Sequence, residues 1–266
     1  MTFSLSSIKF TVNVASCNVN KKRIDSDRLM RDLKKSGVDI MCLQNVPPRC
    51  KSLFAATVER HGYVHFTNSH LSVLFRKQCG FVIKRAAVHN RLISIELEMG
   101  CVRILLMNMV APRKKLHWKL LEQKMHALDG RPGLEAWRRP RILTPIILTG
   151  DLGGPFGSRP VYTCNVHGGC GHGTPNHFVR ELVLKCIYYR LQMVNTHVKG
   201  LQRPRDHHLF ATCRIHHHAL KYFTILGGRH KMLYMRVALS PTIFNKLTGS
   251  DLSPTIFNKL TDYCCC

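Results

Sequence analysis

Acidic residues are what this chain has least of: 15 Asp and Glu stand against 40 Lys and Arg among 266 residues, a formal net charge of +25. That imbalance excludes a neutral surface and attracts polyanions whatever the fold, with nucleic acid the leading partner and anionic membrane surfaces the rival. Long apolar runs are also missing. No stretch approaches the ~20 residues of a membrane-spanning helix. Met1-Thr2-Phe3-Ser4-Leu5 lacks the basic and apolar regions of a secretory leader. The expectation is an intracellular protein without a transmembrane segment. No Ser/Gly-rich linker divides the chain, and its 45% hydrophobic content is enough to bury one sizeable core.

The positive charge is spread along the chain in short runs: Lys21-Lys22-Arg23, Arg113-Lys114-Lys115, Arg138-Arg139-Pro140-Arg141 and Arg203-Pro204-Arg205. Any one run reads equally well as a solvated surface or as part of a polyanion-binding face, and runs this short are weak signals for nuclear import. The total excess carries more weight than any single run.

The most informative stretch is Ile147-Leu148-Thr149-Gly150-Asp151. Pro145 to Leu148 is short, β-branched and bounded by Pro145 and Gly150, which suits a strand buried on both faces. Such a strand delivers Asp151 to the lip of a sheet, where ligands commonly bind. Two earlier segments share the design. Phe10–Asn18 runs into Cys17-Asn18-Val19-Asn20, and Val38–Gln44 runs into Gln44-Asn45. Between them, Ile24, Leu29, Met30 and Leu33 recur at helical spacing, with Asp25 or Ser26 as N-cap and Gly37 as the stop. Short β-rich segments follow at Val64–Phe66, Ser72–Phe75, Gly80–Lys84, Leu92–Leu97 and Val102–Met107. A helix is expected over Leu116–Leu128, a long Gly/Pro-rich loop over Gly153–Pro175, and a helix over Phe178–Tyr189.

This order of motifs resembles the endonuclease/exonuclease/phosphatase superfamily. The resemblance rests on Ser-Cys-Asn-Val-Asn at 16–20, Val-Asp-Ile-Met-Cys-Leu-Gln-Asn at 38–45, Asn-Met-Val-Ala-Pro at 108–112, Gly-Asp-Leu-Gly at 150–153 and Gly-Ser-Asp-Leu at 249–252. It is nearest to the endonucleases of non-LTR retrotransposons, because Gly-Ser-Asp-Leu-Ser-Pro echoes their Gly-Ser-Asp-His-x-Pro ending. It implies an α/β fold, a four-layer sandwich of two packed mixed β-sheets flanked by helices, over residues 1–252. It also implies a Mg²⁺- or Mn²⁺-dependent phosphodiesterase acting on DNA. Asn18, Asp151 and Asp251 would be its catalytic residues, Asn45 and Asp151 its metal ligands, and Asn18 and Asn108 its substrate contacts.

The departures from the family pattern fall on the chemistry. Asn45 stands where the family has its metal-binding Glu; a carboxamide oxygen carries no charge and holds Mg²⁺ more weakly. Gly153 replaces the Asn of Gly-Asp-Phe-Asn, and Val110 replaces a Tyr. Lys221, in Ala219-Leu220-Lys221-Tyr222-Phe223, stands where an Asp is expected. Leu252 takes the place of the general-base His. Loss of a general base alone forfeits ~10²–10⁴ in rate, so a weakly active or inactive member is expected. A catalytically dead nucleic-acid-binding protein, or a decayed retroelement fragment, is the alternative.

Three other features compete for attention. Cys164, His167, Cys170 and His172, with His177 beyond, form a weaker alternative site, for zinc. Their spacing matches no standard finger, and a chain of 16 His and 12 Cys clusters them by chance. Asp206-His207-His208 and His216-His217-His218 read as exposed loops, since Asp206 precedes the Lys221 strand whereas the family's Asp-His follows it. The cysteines are scattered, Cys42 and Cys101 within apolar strands, so buried reduced thiols are expected.

The last segment, 253–266, is set apart as a tail. Leu239–Thr248 and Leu252–Thr261 are the same ten residues, too short and too few to build a solenoid, so a local duplication is the simpler reading. Cys264-Cys265-Cys266 resembles a double-cysteine prenylation end but is not a Cys-a-a-X box.

Overall fold

Alternation of apolar side chains on long, doubly buried strands sets this architecture. The structure, a computed structural model, describes residues 10–20, 24–47, 51–99, 102–110, 145–151, 177–188, 191–194, 208–212, 216–228 and 230–239, with single positions at 119, 123 and 174. In chain order the elements are β1 (Phe10–Asn18), α1 (Ser26–Lys35), β2 (Ile40–Gln44), α2 (Lys51–Arg60), β3 (Tyr63–Thr67), β4 (Leu71–Arg76), β5 (Val82–His89), β6 (Leu92–Met99), β7 (Val102–Val110), β8 (Ile146–Asp151), α3 (His177–Tyr188), β9 (Leu191–Met193), β10 (His208–Thr212), β11 (His216–Ile225) and β12 (His230–Leu239).

The strands form two six-stranded sheets, ordered β11-β12-β1-β2-β4-β3 and β5-β6-β7-β8-β10-β9. Each is mixed. β1 runs parallel to β2 and β7 parallel to β8, while the other pairings are antiparallel. In each sheet the parallel pair is central, so the C-terminal ends of β1, β2, β7 and β8 are the ones available to build a site.

The sandwich core lies between the sheets. Val12 and Val14 of β1, Ile40 and Cys42 of β2, and Leu71, Val73 and Phe75 of β4 meet Ile93, Ile95, Leu106 and Ile147 from the other sheet. Period-two alternation sends the intervening residues Ala15, Cys17, Met41 and Leu43 to the outer face, where they pack with Leu29, Met30 and Leu33 of α1 and Phe54 and Val58 of α2. Each fully buried Leu, Ile or Phe contributes ~1.5–3 kcal/mol of transfer free energy. Together these two layers hold the first sheet rigid from both sides. On the second sheet α3 lies against β9 and buries Val179, Leu182 and Cys186. Among the described residues the helical flanking is therefore seen in part, by α1 and α2 on the first sheet and by α3 on the second.

Helix α1 shows how local signals set the frame. Asp25 is its N-cap, its carboxylate accepting from the Arg28 amide at 3.0 Å, and Gly37 at φ 65° turns the chain out into β2. Asp32 then accepts from the Leu226 amide at 2.8 Å, docking the β11–β12 turn on the helix. Asp39, buried at the start of the β2 segment, pairs with Arg76 and accepts from the Asn13 amide at 2.9 Å.

Several expectations change here. Residues 51–60 form a helix that no motif had singled out, and β5 extends well past Lys84 to His89. His216-His217-His218 opens β11 opposite β12 instead of forming a loop, and His208 opens β10, while Asp206 and His207 lie outside the described residues. The four basic runs, most of the expected 116–128 helix, all of the 153–175 loop but Thr174, and all of 240–266 lie outside the described residues. No helix among the described residues is long and apolar enough to cross a membrane.

Candidate functional site

Three strand ends converge at one rim of the sandwich. Asn18 closes β1, Asn45 follows β2, and Asp151 closes β8. Alternation alone explains two of them: Asn18 continues the inward series Val12, Val14, Ser16, and Asp151 continues Ile147, Thr149. Asn45 is different. The same alternation would put it with Leu43 on the helix side, but its φ of 55° breaks the strand and turns its amide back to the inter-sheet rim. Asparagine tolerates this left-handed conformation better than most side chains.

The three side chains bond directly to one another. Asn18 Nδ2 donates to Asp151 Oδ2 at 2.9 Å, and Asn45 Nδ2 donates to the same oxygen at 2.8 Å and to Asn18 Oδ1 at 3.0 Å. Asn20, itself at φ 49°, donates its backbone N–H to Asn18 Oδ1 at 2.8 Å. Asn18 is 9% exposed, and Asn45 and Asp151 are half-buried, so the cluster opens to solvent at the lip.

One layer deeper a second polar cluster ties the sheets together. Gln44 Nε2 donates to Asn108 Oδ1 at 2.8 Å and to Ser16 Oγ at 3.0 Å, while Thr149 Oγ1 donates to Asn108 Oδ1 at 3.2 Å. Asn108 Nδ2 donates to the carbonyls of Leu43 at 3.0 Å and Ser72 at 3.1 Å. Asn108 is fully buried. It was expected to touch substrate, and the structure places it instead beneath the rim as a clamp between β7, β8, β2 and β4. Its bonds join the end of β2 to β4, β7 and β8 just below Asn18, Asn45 and Asp151.

Backbone approach matters at Gly150. A Cβ there would lie 2.3 Å from the Met109 carbonyl oxygen, an atom of the paired β7 backbone that cannot step aside. Gly150→Ala is expected to destabilise the fold by ~2–3 kcal/mol through this overpacking and to displace the adjoining Asp151. Chemical denaturation measures it, and a cost within ~0.5 kcal/mol, the usual range for an innocuous substitution, would refute the close-packing account.

The thiols near the site are not nucleophiles. Burial pushes Cys17 up to about 12, and Cys42 up to about 12 against a partly offsetting hydrogen bond with Thr149. Both stay protonated, and both are free, as is buried Cys186.

Against a divalent cation the rim's donor set fits poorly. Hard cations want several oxygen ligands, preferably carboxylates. Here Asp151 brings the cluster's one carboxylate, its Oδ2 already holds two amide hydrogens, and Asn18 Oδ1 already holds two more. Asn45, expected to offer its oxygen, presents its nitrogen. Among the described residues no group of three or more His, Cys, Asp or Glu could hold a metal ion. Lys221 lies exposed in β11, paired with Tyr234 of β12. Asp251, Cys164, His167, Cys170 and His172 lie outside the described residues. His208, set aside in the sequence, pairs in register with Gly150 and so begins the strand beside the rim.

Solved structures share this arrangement of sheets. An endonuclease/exonuclease/phosphatase family protein from Bacteroides thetaiotaomicron matches with a TM-score of 0.59 at 12% identity, over 88% of this chain and 97% of that one. The chain has the endonuclease/exonuclease/phosphatase fold. The endonuclease domain of TRAS1, a telomere-specific non-LTR retrotransposon, matches with a TM-score of 0.56 at 10% identity, over 85% and 98%. An AP endonuclease from Archaeoglobus fulgidus matches with 0.54 at 16%, over 86% and 99%. No family model and no curated protein matches the sequence. The likeness is one of fold, and the resemblance read from the strand-end motifs holds at that level.

Proposed function

We propose that this chain is a degenerate DNA phosphodiesterase: it binds nucleic acid through its positive charge and hydrolyses it weakly or not at all. The observation that carries this is the rim. Asn18, Asn45 and Asp151 meet at the strand ends where the resemblance puts a catalytic centre, yet together they supply one carboxylate, bound by two amides. A phosphodiester arriving there meets one carboxylate among three clustered side chains, and Leu252 stands where the resemblance puts the residue that would activate water. What the chain keeps is attraction for the polyanion, from a net charge of +25.

The test is nicking of supercoiled plasmid in Mg²⁺ or Mn²⁺ by the full chain, by Asn45→Glu and by Asn45→Glu with Leu252→His. The wild-type chain is expected to cleave at least ~100-fold more slowly than the double variant, the usual worth of a general base. Wild-type cleavage as fast as that of the double variant, and abolished by Asp151→Ala, would refute degeneracy. A retained, salt-sensitive affinity for DNA in every variant is the companion expectation.

A further inference from the structure

The amide orientations at the rim follow from one unambiguous donor. The Asn20 backbone N–H can only donate, so the Asn18 atom facing it at 2.8 Å is the oxygen, Oδ1. Nδ2 of Asn18 is then the atom that faces Asp151 Oδ2. Asn45 sits between these two acceptors, at 3.0 Å from Asn18 Oδ1 and 2.8 Å from Asp151 Oδ2, and only an NH₂ group satisfies both. Its two hydrogens lie where two oxygen atoms from different sheets would otherwise oppose each other.

We propose that the Asn45 carboxamide takes over the structural work of a bound cation, closing the strand ends without metal and leaving the rim with no appreciable affinity for one. Asn18 Nδ2 already joins β1 to β8 through Asp151 Oδ2, and the Asn45 NH₂ adds a hydrogen to each of Asn18 Oδ1 and Asp151 Oδ2, tying the end of β2 to both as a permanent part of the chain. Turning the amide over to offer Oδ1 to an ion would set three oxygens against one another and break both of its hydrogen bonds. The left-handed backbone at residue 45 reinforces the arrangement, since Asn sits there with little strain and aims a short side chain back across the rim. The amide hydrogens of Asn45 thus occupy the place between these oxygens that a cation would otherwise take.

Thermal melting of the full chain tests this, in EDTA and in excess Mg²⁺ or Mn²⁺. Wild-type protein is expected to melt within ~1 °C in both, since a ligand that does not bind the native state does not stabilise it. Asn45→Asp keeps the size and backbone preference while turning donors into acceptors. It should melt roughly 5–10 °C lower in EDTA, from the loss of hydrogen bonds to a charged group, and recover a saturable part with metal. Asn45→Gly, which keeps the left-handed backbone and deletes the amide, should lose ~3–6 °C on the same grounds. Saturable stabilisation of the wild-type chain by Mn²⁺ that Asp151→Asn removes would overturn the proposal, as would an Asn45→Gly protein as stable as wild type. The melting readout is separate from nicking, so absence of cleavage leaves this inference standing, and its failure leaves the phosphodiesterase reading standing.

Discussion

Replacing Asn108 with alanine is expected to cost the fold ~4 kcal/mol or more, a large share of the ~5–15 kcal/mol that separates native from unfolded chains. The Asn108 amide makes its full complement of bonds: Oδ1 accepts from Gln44 and Thr149, and Nδ2 donates to the Leu43 and Ser72 carbonyls. Truncation leaves the Gln44 and Thr149 donors without that acceptor and two backbone carbonyls without that donor, at a place with no access to water. Each buried group left unsatisfied costs ~1–3 kcal/mol, and the partial sums overlap because Gln44 also reaches Ser16 and the Cys42 carbonyl. Thr149→Val removes the hydroxyl's long bonds to Asn108 Oδ1 and the Met107 carbonyl and its bond with the Cys42 thiol, leaves the other three Asn108 bonds in place, and should cost only ~1–2 kcal/mol. Urea denaturation followed by circular dichroism measures both. An Asn108→Ala loss no larger than that of Thr149→Val would mean the clamp relaxes around the gap, and the argument that it fixes the strand ends would fail. In that case the geometry at Asn18, Asn45 and Asp151 would have to be held by the rim bonds alone.

This clamp also marks where sequence reasoning ran out. Strands β1, β2, β4, β6, β7 and β8 were legible because their apolar runs are short, β-branched and bounded by turn residues, and α1 because Asp25, Gly37 and the Leu29–Met30–Leu33 stripe agree. Helix α2 was not. Its first turn holds no acidic residue, and its apolar residues Leu53, Phe54, Ala55, Ala56 and Val58 run together without a clear helical stripe. It is helical because Phe54 and Val58 bury against the outer face of the first sheet, a tertiary cause that local propensity does not contain. Strands β9 and β10 were missed for a similar reason: Leu191-Gln192-Met193 is too short to show a period, and the His-rich start of β10 reads as polar.

At the site, order along the chain was enough to bring Asn18, Asn45 and Asp151 together, since each ends or follows a strand with the same apolar lead-in. Depth was not legible. Asn18 and Asn108 carry the same side chain on central strands, yet one reaches the rim and the other is sealed beneath it. The difference is where each strand stands relative to the facing sheet, with Asn108 in register with Thr149 and β8 running two residues further to Asp151. Nor could the sequence say which atom of Asn45 faces Asp151. That depends on the Asn20 N–H across the rim, a contact set by two left-handed residues.

Raising salt from about 50 to about 200 mM is expected to weaken duplex DNA binding by ~10³-fold or more, the loss typical of a protein that neutralises six or more phosphates. The described acidic groups show why so much positive charge remains for a partner. Asp25 caps α1, Asp32 holds the Leu226 amide, Asp39 pairs with Arg76, and Glu98 takes both Lys84 at 3.0 Å and Arg103 at 3.1 Å. These carboxylates serve the fold, whereas Arg31, Lys34, Lys35, Lys77, Lys221 and Lys231 stand exposed. Counterion release then predicts a linear fall of log affinity with log salt, at a slope of about −0.9 per phosphate contacted. Fluorescence anisotropy on a labelled duplex across that range reads the slope directly. A single-stranded RNA of equal length separates DNA preference from general attraction to polyanions, and metal is left out so that binding is scored apart from cleavage. A flat response would remove nucleic acid as the partner of this charge. A steep one, shared by wild type and Asp151→Ala alike, would show that affinity resides in the basic surface and not at the rim. That is the division of labour expected if, as proposed, the strand-end site has closed on itself through Asn45 while the basic surface keeps its attraction for polyanions.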